Sequence, residues 1–144
     1  MISKIATASL GLVFVGSSVF AQSLADAKKA IDAEQYQKAK SMLKNLTATQ
    51  ADKDENFFYL GWVYIKQDYT DSAKTTFNKG IAVNAKSALN YAGLGAVARL
   101  DKDNAGATNN FNQATALAGK NSKPYVYVGQ AYLLPVTADG KVSA

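Results

Sequence analysis

The chain has 144 residues and a formal charge of +5, from sixteen cations and eleven carboxylates. It contains no cysteine and no histidine. That excludes disulfides, thiolate metal sites, imidazole general bases and every nucleophile pair built on histidine. Arg99 is the one arginine and the lysines are scattered, whereas nucleic-acid binders concentrate charge on one face and favour arginine; no nucleic-acid partner is expected.

Residues 1–21 do not read as fold. Lys4 supplies a positive start, an apolar and small-residue run extends to Phe20, and Val19-Phe20-Ala21 offers small residues at −3 and −1 before Gln22. This is the three-part layout of a secretory signal. The run is shorter than the ~20 apolar residues needed to span a bilayer. The expectation is a cleaved leader resembling those of Gram-negative exported proteins, a periplasmic or secreted product starting at Gln22, and no stable membrane span after cleavage.

Beyond the leader the chain repeats itself every 34 residues. Gly61, Gly95 and Gly129 keep this step, as do Ala39, Ala73 and Ala107. So do Leu43, Phe77 and Phe111, then Phe57, Tyr91 and Tyr125, then Leu60, Leu94 and Val128. A fixed period of this length signals stacked supersecondary units. Each period divides into two helical stretches. Phe57, Leu60, Gly61 and Tyr64 fall on one stripe of a first helix, A; Ala73, Phe77, Gly80 and Ile81 fall on one stripe of a second, B. Asp71 is the expected N-cap of the B helix, and Pro124 suits the first turn of the fourth A helix.

The pattern resembles the tetratricopeptide repeat: aromatic-x2-Leu-Gly-x2-Tyr in helix A, then Ala-x3-Phe in helix B. Phe57, Leu60, Gly61, Tyr64, Ala73 and Phe77 match it. Tyr91, Leu94, Gly95, Ala107 and Phe111 match with Ala98 in place of the tyrosine, and Tyr125, Val128, Gly129 and Tyr132 match helix A. The first period keeps only Ala39 and Leu43. Phe57 stands for the usual tryptophan, and the proline usual after helix B is missing. The resemblance implies an all-α, right-handed solenoid of stacked hairpins over residues 22–134. Its repeats would be about 22–53, 54–87, 88–121 and an incomplete 122–134, with 135–144 a truncated tail.

It also implies a non-catalytic scaffold, without cofactor or metal, that holds a protein or peptide segment in the concave groove lined by helix A. That face carries Phe58, Trp62 and Ile65, with Lys66, Arg99 and Gln130 at its edge. Such a groove suits an apolar segment with a nearby negative charge. The competing reading is that the first A helix, with Leu24 and Ile31, packs over Trp62 and makes it core. Rival functions are a regulatory or targeting segment of a larger enzyme, and a carbohydrate or peptidoglycan binder using exposed aromatics. Self-association through residues 122–134 is a further alternative, because Gly129 is prepared for a B helix that the sequence does not supply. The Asp101–Gly106 segment has part of a calcium-loop pattern, but Ala105 takes a ligand position and a hairpin turn explains it better. Asp52, Asp54 and Glu55 suit a helix start.

Overall fold

The computed structural model describes residues 22–136. The leader assigned to residues 1–21, and residues 137–144 of the tail, lie outside the described residues. The described chain is all-helical, with seven helices and no strand. They are α1 (Leu24–Asp32), α2 (Tyr36–Thr49), α3 (Asp54–Lys66), α4 (Thr70–Val83), α5 (Ala88–Leu100), α6 (Asn104–Ala118) and α7 (Ser122–Leu133). Consecutive helices pack as hairpins, α1 with α2, α3 with α4 and α5 with α6, and α3, α5 and α7 pack in succession through α5. The arrangement is compatible with helical-repeat packing. No described helix is long and apolar enough to cross a membrane.

Local signals set the helix ends. Ser23 caps α1: its Oγ accepts from the Asp26 N–H at 3.1 Å and donates to the Asp26 carboxylate at 2.6 Å. Such reciprocal caps satisfy donors that the first helical turn leaves orphaned. Asp103 caps α6, accepting from the Gly106 N–H at 2.8 Å, so its carboxylate is engaged in a helix cap. Asp71 does not cap α4. That helix begins one residue earlier, at Thr70, and Asp71 sits in its first turn, where a carboxylate still favours the dipole.

The three turns from an A helix to its B helix share one geometry. Glu34, Asp68 and Lys102, spaced by 34 residues, all adopt positive φ, at 56°, 63° and 62°. After each, an N–H reaches five residues back: Gln35 to Ala30 O, Tyr69 to Tyr64 O and Asp103 to Ala98 O. This is the left-handed C-terminal cap that usually carries glycine. Here three ordinary residues hold it, so each turn stores backbone strain.

The core follows the 34-residue period. Ala39, Leu43, Ala73 and Phe77 are fully buried, and Ala107 and Phe111 nearly so. Phe77 of α4 is a wedge: a side chain at Gly61 of α3 or at Gly93 of α5 would strike its ring. Phe111 of α6 fills the same role at Gly95, and its ring lies 5.2 Å from that of Tyr132 on α7. Helices thus approach through glycine on one side and a phenylalanine ring on the other, which gives the close packing of a protein interior.

Two buried asparagines tie the hairpins together. Asn90, fully buried in α5, donates through Nδ2 to Asp54 O at 3.0 Å and to Ser87 Oγ at 2.8 Å. Asn56, one period earlier, makes longer contacts to Leu46 O and Gln50 O at the end of α2. Each joins the start of an A helix to backbone of the preceding repeat, where an unpaired carbonyl would be costly.

Candidate functional site

The concave face expected from the sequence is built by α3, α5 and α7, but it is not open. Phe58 and Ile65 are fully buried and Trp62 is 2 % exposed. The cover is Tyr127 of α7. Its ring centroid lies 4.6 Å from Phe58, 5.0 Å from Trp62 and 6.1 Å from Tyr59, each time edge to face. That geometry sets the positive ring edge against the negative ring face. On α5, the helix between, Ala92 and Ala96 occupy the positions equivalent to Phe58 and Trp62, and these small side chains leave room for the tyrosine to reach α3. The expected exposure of Phe58, Trp62 and Ile65 is therefore corrected: the apolar part of the groove is filled by the chain's own aromatic cluster. The first A helix is not the principal cover either. Leu24 and Ile31 are half-buried at the edge of the core, while Lys28 of α1 stacks over Tyr59 at 5.2 Å.

Burial acts on the two tyrosines of the cluster. It pushes the Tyr59 hydroxyl well above the usual phenol range, and a hydrogen bond to Tyr127 adds to the shift. Tyr127 also moves upward, mainly through burial. Desolvation penalises a phenolate, so both remain neutral packing groups at physiological pH.

The three edge residues separate in role. Arg99 is half-buried; its Nη1 donates to Leu134 O at 3.1 Å, and its guanidinium lies 5.8 Å from the Tyr132 ring. It clamps the end of α7, so its expected place as a free edge cation is corrected to a structural one. Lys66 is exposed at the end of α3, with its ammonium 5.9 Å from the Trp62 ring. Gln130 is exposed on α7. Lys66 and Gln130 line one open depression of about 300 Å³ with Leu133, Leu134 and Pro135. Leu133 is 82 % exposed there. The structure thus gathers Lys66 and Gln130, adds Leu133 and Pro135, and withdraws Phe58, Trp62, Ile65 and Arg99 into the fold.

Sequence reasoning missed Tyr127 as the cover. In the 34-residue alignment it falls on Tyr59 and Gly93, and nothing in that column marks a ring that reaches past a neighbouring helix. It also missed the asparagines. Their signal was present: Asn56 and Asn90 sit one period apart, each just before the motif aromatic.

Among the described residues no three or more acidic, histidine or cysteine side chains are grouped to hold a metal ion. No family model matches the chain, and no curated protein matches it.

Proposed function

We propose that the chain is a non-catalytic interaction scaffold of the tetratricopeptide-repeat type, a right-handed solenoid exported to the bacterial envelope, that holds a protein segment at the rim of its concave face. The observation that carries this reading is the rim depression. Leu133 is exposed to 82 % there, beside the ammonium of Lys66 and the amide of Gln130. An exposed leucine next to a cation suits a segment with an apolar side chain followed by a carboxylate. The 34-residue spacing of the left-handed turns and of the phenylalanine wedges supports the repeat assignment. Trp62 has no ring face to offer a sugar, which speaks against stacking on a carbohydrate through that residue.

The test is selection of displayed random peptides on the full chain, with Lys66→Glu and Leu133→Asp variants as counter-targets. Enriched peptides should pair an apolar residue with Asp or Glu, and should bind Lys66→Glu about tenfold more weakly, on the order of one charge pair at a partly desolvated site. Peptides that bind both variants as well as the parent, or no enrichment at all, would remove the rim site. Export is checked separately, by mass spectrometry of protein from the native host. Gln22 at the N-terminus supports it; an intact Met1 contradicts it.

A further inference from the structure

Gly129 of α7 stands one period after Gly95 and two after Gly61. At each of those earlier glycines a phenylalanine ring occupies the space a side chain would take, Phe77 at Gly61 and Phe111 at Gly95. At Gly129 nothing among the described residues lies within 4 Å of the equivalent point. The flanking rings are open in the same way. Tyr125 and Tyr132 are 46 % and 58 % exposed, whereas Phe57, which matches Tyr125 two periods earlier, is 8 % exposed. The A-to-B interface that runs through the chain therefore continues onto α7 and meets no ring there.

The chain's own sequence does not continue the pattern. One period after Ala107, where Ala39 and Ala73 also set a small residue, stands Lys141. A charged side chain of that length cannot replace alanine at a close helix crossing. A second copy cannot supply the ring either, since its Phe77 and Phe111 are buried in its own core. We propose that the Gly129 face of α7 takes an amphipathic helix of a different protein, one with a small residue four positions before a phenylalanine. The ring seats at Gly129 as Phe77 and Phe111 seat at Gly61 and Gly95, and Tyr125 and Tyr132 close around it. This site goes beyond the rim reading: it uses Gly129 rather than Lys66, and the two stand or fall separately.

The chain itself provides the probe. A synthetic peptide of residues 70–83 contains Ala73 and Phe77. A hydrocarbon staple replacing the exposed Lys74 and Asn78 holds it helical, which a free peptide of this length would not be. Binding of the labelled peptide to the full chain is read by fluorescence anisotropy. The expected result is saturable binding that weakens at least ~10-fold with a Phe77→Ala peptide and at least ~10-fold with a Gly129→Leu chain, as loss of an aromatic anchor does. Gly129→Leu should leave the circular dichroism and melt unchanged, because its side chain meets open space. Lys66→Glu should leave binding within about twofold, as expected of a charge outside the contact. No saturation up to ~1 mM peptide, equal binding of the Phe77→Ala peptide, or indifference to Gly129→Leu would overturn the proposal. So would sedimentation showing that the chain dimerises through this face and that Gly129→Leu abolishes the dimer, which would assign the face to a second copy.

Discussion

Phe77→Ala probes the wedge that holds two repeats together. The ring is fully buried, and it faces glycine on both helices it separates, Gly61 on α3 and Gly93 on α5. Truncating a buried phenylalanine costs ~3–5 kcal/mol, and the cost rises with the cavity that remains. Glycines have no side chain to move into the space, and Phe58, 6.0 Å away, is held by its own ring contacts. The upper half of the range, about 4–5 kcal/mol, is therefore expected. Helical domains of this size hold roughly 6–17 kcal/mol in all, at ~0.05–0.15 kcal/mol per residue, so the loss is a large fraction. Urea melts followed by circular dichroism should show the midpoint fall by about 2 M, at a slope of ~2 kcal/mol/M, with that slope unchanged. Phe111→Ala is the internal control. Its ring abuts Tyr132, which is half exposed and free to relax, so its loss should be smaller, ~3 kcal/mol. A Phe77→Ala loss below ~1 kcal/mol, or a larger loss for Phe111→Ala, would refute the wedge as the joint between repeats.

Gly95→Leu should destabilise by ~1–3 kcal/mol or more, because its side chain meets the Phe111 ring, while Gly129→Leu should stay within about 0.5 kcal/mol; equal melts would contradict the placement of the hairpins. Glu34→Gly should raise stability by about 0.5–1 kcal/mol by relieving a left-handed turn, and a destabilised variant in the same melts would show that the turn carries no strain. Tyr59 and Tyr127 have hydroxyls pushed upward by burial, so the unfolded chain ionises first. Their contribution is fully present below the ordinary phenol value near ~10 and is lost as pH rises beyond it. Melting temperature should then fall above pH ~10, less steeply in Tyr59→Phe, and an identical alkaline limb in that variant would count against the buried hydroxyl pair.

Much of the fold was legible because one period governs it. Ala73, Phe77, Gly61 and Gly95 are constrained by helix separation, and small-against-large pairing at fixed spacing leaves a direct trace in sequence. The positive-φ turns left none, since Glu34, Asp68 and Lys102 share no side-chain chemistry; only the backbone reveals them. The concave face was misjudged for a similar reason. Periodicity places Phe58, Trp62 and Ile65 on the inner side of helix A correctly, but whether that side is wetted depends on a ring from two A helices further along. Tyr127 reaches it because α5 presents alanines, and that coupling spans 65 residues between Trp62 and Tyr127. Arg99 was likewise placed at the edge, but its partner there is the Leu134 carbonyl at the end of α7. At Gly106, a residue the sequence placed in a harmless first turn, an added side chain would meet the Asp103 carboxylate that caps α6.

The closure of the concave face by Tyr127 decides where any partner can bind, and Trp62 reports on it directly as the chain's single tryptophan. The measurement is iodide and acrylamide quenching of Trp62 fluorescence in the parent chain and in Tyr127→Ala. The expected result is a parent tryptophan almost insensitive to iodide, and a several-fold steeper quenching slope in Tyr127→Ala once the covering ring is gone. A parent tryptophan quenched as readily as free indole, or a variant that quenches no more than the parent, would contradict a groove closed by the chain itself.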